Sequence, residues 1–432
     1  MLSETARGHD VADPPALDAP VTGGAAGRAV WTTADQVVSS LASAALSIVL
    51  ARTVSAAQFG TFALAFSVYT FAVGVAQAVG GQVLVIRYTD APPKERRVAV
   101  GLAAGNAVRV GALAALVLLA ALPLVRLPSE RVVLAVAVLL PALLLQDAWR
   151  TVLISAGTPR SAFLNDLLWT VLQLVAIGLL LARGEHQALW YVLAWGGSAV
   201  VAAALGVRQA RVAPRLRGGV RWAREHRQVT GYLLAQWVAV LGAIQIAFVV
   251  LAALGGVQDV GSLRAAQTLL GPLNILGMAA TSFAVPELVR ARPGRRGLVL
   301  TAAAVSALMV VAVAAWGAVL LLLPASAGRQ LLGDTWDSAR VALPGMVLFT
   351  CAVGITTGPS VLFRALDRSN YTFFTSAALG PLILVLSVVG QAVGGVRGAA
   401  YGFALAAALV VVPFFVLAGR AVRAADLPAQ GA

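Results

Sequence analysis

Cysteine, lysine and histidine are nearly missing from this 432-residue chain, which holds one Cys (Cys351), one Lys (Lys94) and three His (His9, His186 and His226). A lone thiol inside an apolar run excludes an intrachain disulfide and any cysteine-based zinc site. The histidines fall in tails or loops, and no Ser/His/Asp or HExxH grouping accompanies them, so neither a catalytic constellation nor a bound metal is expected. The absence of GxGxxG and Walker-type loops speaks against an ATP-driven pump, and no cofactor is expected. Charge is scarce as well: 12% of the residues are charged and 59% hydrophobic, whereas a soluble domain is about a quarter charged. With a mean hydropathy of +0.86, an ordinary cytosolic globule is excluded.

What the chain does have is a series of apolar runs of membrane-spanning length. Between charged or turn-rich breaks they predict helices over 30–51, 61–86, 98–125, 132–155, 162–182 and 188–207, then 231–254, 262–287, 298–323, 341–363, 371–392 and 398–419. The fold class is therefore an all-α membrane protein of about twelve transmembrane helices. Residues 1–28, rich in Pro, Ala, Gly and Asp, lack the basic start and apolar stretch of a signal peptide and read as a disordered cytoplasmic tail; 420–432 read as a second tail.

The net charge of +14 comes from 32 Lys and Arg against 18 Asp and Glu. A nucleic-acid partner is set aside because the cations are distributed as membrane loops require. One set of loops and tails carries 23 of them, Arg7, Arg28 and Arg292 included, and the opposite set, with Arg126, carries 8. The positive-inside rule then places both termini in the cytoplasm. Seven arginines lie in the connector 208–228, RQARVAPRLRGGVRWAREHRQ. This segment reads as an orientation-setting linker or, through its Arg, Trp222 and apolar residues, as an amphipathic segment on anionic lipid.

The two halves repeat each other. QFGTFALAF from Gln58 matches DVGSLRAAQ from Asp259, TVLISAGTPR from Thr151 matches SVLFRALDRS from Ser360, and WYVLAW from Trp190 matches AYGFAL from Ala400. Because six spans precede the second half, both halves insert in the same direction. That predicts an N-terminal bundle (29–207) and a C-terminal bundle (229–419) of six helices each, related by a pseudo-two-fold along the membrane normal. Two such bundles around a cleft make a transporter architecture.

Polar residues inside spans are costly in hydrocarbon and so face a bundle interior or a water-filled cavity. Arg109 lies near the middle of the third span with Asn106 one turn earlier; it suits an anionic substrate or a structural contact. Arg264, Gln267, Gly271 and Asn274 form one stripe on the eighth span, suited to a cavity wall or to a helix–helix contact. Asp147 and Arg150 end the fourth span and Asp166 begins the fifth, so Arg150 and Asp166 should lie at similar depth as a structural or gating ion pair. Asp35, one turn into the first span, is a candidate coupling acid, or an interfacial acid at a helix N-terminus. Ser55 and Gln58 read as a capping box. Pro141, Pro272, Pro344, Pro381 and Pro413 mark hinge positions within spans.

Leu50-Ala51-Arg52 followed by Ala57-Gln58-Phe59-Gly60-Thr61-Phe62-Ala63 resembles the opening of bacterial polysaccharide-biosynthesis (O-antigen) flippases, a family of the multidrug/oligosaccharidyl-lipid/polysaccharide exporter superfamily. The resemblance implies a twelve-helix transporter of the bacterial cytoplasmic membrane. Its partner would be a polyprenyl-diphosphate-linked oligosaccharide, moved to the outer leaflet by alternating access, with membrane lipid and glycan-synthesis machinery around it. Arg52 matches the motif directly and joins Arg109, Arg264, Asn106, Gln267 and Asn274 as candidate substrate ligands. The sibling peptidoglycan-precursor flippases carry extra C-terminal helices, and twelve spans argue against them. Two other classes remain open: an ion-coupled multidrug or cation antiporter on the same fold, and a polysaccharide polymerase, for which the external loop 324–340 is short. A monomer is expected from the internally complete layout.

Overall fold

The computed structural model describes residues 25–124, 128–291, 293–366 and 368–424. Most of the N-terminal tail, the end of the C-terminal tail, Arg7, Arg126 and Arg292 lie outside the described residues.

The first half comprises α1 (Ala25–Thr53), α2 (Ala56–Tyr88), α3 (Pro93–Ala121), α4 (Glu130–Ser155), α5 (Pro159–Ala182) and α6 (Ala188–Ala210). After a short connector helix, α7 (Gly219–Glu225), the second half comprises α8 (227–255), α9 (257–291), α10 (Arg295–Leu322), α11 (Ala325–Leu332), α12 (Thr335–Ala365), α13 (369–393) and α14 (396–423). Among the described residues, ten helices are long and apolar enough to cross a membrane. One of these runs over two spans, because Gly394 (φ −140°) and Gly395 (φ +57°) leave helical geometry between α13 and α14. α8 is a further span, interrupted by a π turn at Val238–Gly242. The chain is thus a multi-pass membrane protein of twelve helices in two six-helix bundles.

The internal repeat is written into the helix limits. Pro93 and Arg295 open α3 and α10, an offset of 202 residues, while Pro159 and Ser369 open α5 and α13, an offset of 210. The growth comes from α11, an eight-residue helix that the first half lacks. Packing repeats too: α1 lies on α5 and α2 on α4, as α8 lies on α13 and α9 on α12.

The bundles meet chiefly where α2 crosses α9. There Gly60 and Gly261 bring the two backbones together. A Cβ on Gly60 would lie 2.0 Å from the Val257 carbonyl oxygen, and one on Gly261 would lie 3.0 Å from the Gly60 Cα. Small residues permit this approach because helix association in lipid depends on packing rather than on the hydrophobic effect. At the same end α11 and its turn reach back to the first bundle, where the Thr335 hydroxyl donates to the Ala51 carbonyl (2.9 Å) and Gly333, at φ +57°, sits on the Arg52 carbonyl. The end holding the α1–α2 turn is therefore closed.

The connector is docked on protein. The Arg215 amide donates to the Gly101 carbonyl (2.7 Å), and Gly105 leaves room for the Arg215 carbonyl. Trp222 is 4% exposed and packs with Tyr88 and His226, whose Nε2 lies 3.1 Å from the Tyr88 hydroxyl. Trp222 therefore faces the first bundle and not lipid, since the indole finds an aromatic pocket at the end of α2. Half of the expected capping box forms: the Gln58 amide donates to Ser55 Oγ (3.3 Å), whereas the Gln58 side chain instead accepts from the Ala188 amide and so caps α6.

Candidate functional site

Between the bundles lies a cavity of about 470 Å³, walled by α1, α2, α4 and α9. On α1, Gln36, Ser39, Ser40, Ser43 and Ser47 recur at helical spacing and give it a hydroxyl-rich wall. Facing them on α9 are Arg264, Gln267, Gly271 and Asn274, so the stripe read from the sequence lines the cavity in full. It does so across a break: Leu270 ends one helical segment and Pro272 follows at the start of the next, so the wall turns there. Leu41 and Met278, 57% and 49% exposed, mark the rim where α1 and the second segment of α9 make little contact.

Arg264 stands out within this wall. Its guanidinium lies 4.5 Å over the Phe66 ring, and one of its terminal nitrogens donates to Gln267 Oε1 (2.9 Å). Its Nε has no hydrogen-bond partner and no carboxylate pairs with it among the described residues. An unpaired guanidinium backed by an aromatic face is a preorganised anion ligand.

On the α4 side the cavity ends on a buried polar cluster. Arg150 Nε donates to Asp35 Oδ2 (2.6 Å), a terminal nitrogen donates to Gln36 Oε1 (2.9 Å), and Asp166 Oδ2 lies 3.3 Å from Nε. Gln146 donates to Asp166 Oδ1 (2.6 Å), and Gln77 donates to Asp147 Oδ2 (2.5 Å) and Thr151 (2.8 Å). Gln77 opens a π turn, Gln77–Gly81, and a Cβ on Gly81 would strike its amide oxygen. The inserted residue and the two glycines thus aim this side chain at α4. Asp35 is fully buried, about 15 Å along the axis of α1 from Ala25, where it meets Arg150.

Three expected ligands stand elsewhere. Arg109 donates to Asn106 (2.7 Å), as their shared face suggests, but that face is covered by Gly219 of α7, so both belong to the connector contact and not to the cavity wall. Arg52 is exposed at the closed end, its backbone carbonyl under Gly333. Both departures have one cause: a span's polar residue can face its own bundle's connector or loop, and sequence spacing fixes the face without saying what covers it. The α1 serines and Gln77 were missed by sequence reasoning. The serines carried a signal in their spacing; Gln77 carried none, because the π turn shifts its direction.

The fold is shared with solved structures of other membrane proteins. The chain is similar to the lipid II flippase MurJ in an inward closed conformation, with a TM-score of 0.70 at 9% identity over 90% of this chain and 87% of that one. It is also similar to an inward-facing multidrug resistance MATE family transporter of the MOP superfamily (0.63, 12%, 89% and 95%). A MATE multidrug transporter in complex with a ligand gives a TM-score of 0.63 at 15% identity over 93% and 97%. No protein-family model and no curated protein matches the sequence. The likeness shows a fold that this chain shares with these solved proteins.

Proposed function

We propose that the protein is a flippase that moves a polyprenyl-diphosphate-linked oligosaccharide from the cytoplasmic to the outer leaflet for cell-surface polysaccharide synthesis. The observation that carries this reading is the unpaired guanidinium of Arg264 facing a serine-lined wall in one cavity. A guanidinium offers bidentate donors to phosphate oxygens. Ser39, Ser43, Gln36, Gln267 and Asn274 offer the mixed donors and acceptors that sugar hydroxyls require. The rim between α1 and α9 lets the prenyl chain stay in lipid while the head enters. The fold shared with the lipid II flippase supports a lipid-linked substrate.

In this reading the chain resides in the bacterial cytoplasmic membrane with both termini inside, works as a monomer beside glycan-synthesis enzymes, and is a transporter without catalytic residues. Closure at Gly60–Gly261 and α11 then lies on the outer side, so the cavity faces the cytoplasm. Arg150, paired with Asp35 and Asp166, holds α1, α4 and α5 together in this state while Asp147 ties α4 to Gln77 of α2, and Asp35 is the acid placed to respond when the bundles move. The test is mass spectrometry of polyprenyl-diphosphate glycans in depleted cells, with an impermeant probe for leaflet location. Accumulation of a complete repeat unit on the cytoplasmic side is expected, and an unchanged lipid-linked pool would overturn the proposal.

A second reading, an ion-coupled cation antiporter on the same fold, draws on the buried Asp35 and Asp166. Drug efflux that depends on Asp35 would favour it.

A further inference from the structure

The cavity is not uniformly cationic. Beside Phe66 and Tyr69 it opens into a side chamber of about 50 Å³, walled also by Ser39, Asp147, Trp169 and Trp195. Arg150, Asp166, Ser43 and Gln146 complete the wall. The charges do not balance: Asp35, Asp147 and Asp166 converge on one guanidinium, that of Arg150. Its Nε–H is directed at Asp35, so Asp166, 1% exposed, presents an Oδ2 that receives no hydrogen bond. Asp147 is held by the neutral Gln77 amide and has no cation within ion-pair distance among the described residues. The buried Asp166 and the partly buried Asp147, left this way, call for a positive partner.

The duplication sharpens the point. At the repeat offset of 201 Asp35 corresponds to Gln236, at 209 Arg150 and Asp147 correspond to Pro359 and Thr356, and at 210 Asp166 corresponds to Ser376, so the charges of the cluster belong to one bundle only. It is not a framework element of the fold.

We propose that this chamber receives an ammonium group borne by the substrate head, so that the transported glycan carries a free amine, as on an amino sugar. Tyr69, Trp169 and Trp195 supply ring faces and edges for a cation on a bulky scaffold, with Tyr69 and Trp195 ring centroids 5.1 Å apart. The chamber shares Ser39, Ser43, Phe66 and Tyr69 with the main cavity, so a substituent on a larger head can reach it. Arg264 stacks on the same Phe66 that walls the chamber. The anionic and cationic poles are therefore one aromatic ring apart, which fits a zwitterionic head with its amine on a sugar close to the diphosphate. This inference rests on the flippase reading and adds to it a constraint on the sugar.

The test is binding to the purified full chain, read by quenching of tryptophan fluorescence. The two ligands are a short-chain prenyl diphosphate bearing glucosamine and its N-acetyl counterpart, which keeps the size and loses the charge. The wild type is expected to bind the amine about tenfold more tightly, a difference of about 1.4 kcal/mol. Asp147→Asn, which keeps an acceptor for Gln77, should bring the two affinities together by weakening the amine ligand alone, and Asp147→Glu should restore the preference. Equal affinities in the wild type would overturn the proposal. So would equal weakening of both ligands in Asp147→Asn, the result expected if the acids hold a proton or sodium ion. The flippase reading is tested apart by Arg264→Ala, which should weaken both ligands alike; unchanged binding there would count against that reading while the amine preference is still measured.

Discussion

Gly60 and Gly261 occupy the same position in the two halves of the chain and touch each other across the bundle interface, Gly261 having room for a Cβ only 3.0 Å from the Gly60 Cα. A pseudo-two-fold relating the halves would pass close to this contact, and Gly60 also lies against the Val257 carbonyl of α9. An alternating-access transporter must break such a contact to open at this end.

Replacing Gly60 by Leu should prop that end apart. A Cβ there would meet the Val257 carbonyl at 2.0 Å, a backbone atom that cannot step aside, so the closed state should lose about 1–3 kcal/mol or more. The check is labelling of Ser43→Cys in a Cys351→Ala background by an impermeant maleimide added on the side that holds the α1–α2 turn; faster labelling in the Gly60→Leu protein is expected, and an unchanged rate would place the gate elsewhere.

Arg264→Ala should lower affinity for a prenyl diphosphate by about 2–3 kcal/mol, the scale of a charge-assisted pair in a desolvated site, while Arg264→Lys keeps the charge and loses the fork. Arg109→Ala should leave binding unchanged, because that side chain lies under α7. Titration of both variants with the same ligand separates the two arginines that look alike in the sequence.

Arg150→Ala leaves Asp35 and Asp166, 0% and 1% exposed, without their cation. Breaking a buried pair in this way costs about 3–5 kcal/mol. A marked loss of melting temperature in detergent is expected, with partial recovery in the double variant Asp35→Asn/Arg150→Gln. No recovery would mean that the loss comes from packing instead.

Gly105→Leu should release the connector, since the Arg215 carbonyl occupies the space of that side chain. Limited trypsin digestion at the connector arginines reads it out: slow cleavage in the wild type and fast cleavage in the variant are expected. Equal rates would show that the docking seen at Gly101 and Trp222 contributes little to protecting this segment.

Much of the fold was legible because hydrocarbon imposes a simple rule. Each span must satisfy its own backbone and remain apolar over its length, so helix number and the repeat stand in the one-dimensional pattern. The limits were less legible where local geometry is unusual. The sequence predicts uninterrupted seventh and eighth spans, yet α8 holds a π turn and α9 breaks at Leu270. The site was legible in part for a related reason. Helical spacing puts Arg264, Gln267, Gly271 and Asn274 on one face, and the same rule joins Asn106 to Arg109, but only the first set meets the cavity.

From its sequence alone the chain is committed to the membrane, to twelve helices and to duplication, since these follow from hydropathy, charge placement and recurring strings that need no knowledge of neighbours. Tertiary structure decided which polar faces meet. It turned Arg109 to the connector and Arg264 to the cavity, gathered Asp35, Asp147 and Asp166 from three helices around Arg150, and closed one end on two glycines. Those choices depend on how helices rotate and cross, which is set by side-chain contacts between residues hundreds of positions apart, and periodicity along one helix carries no record of its partner.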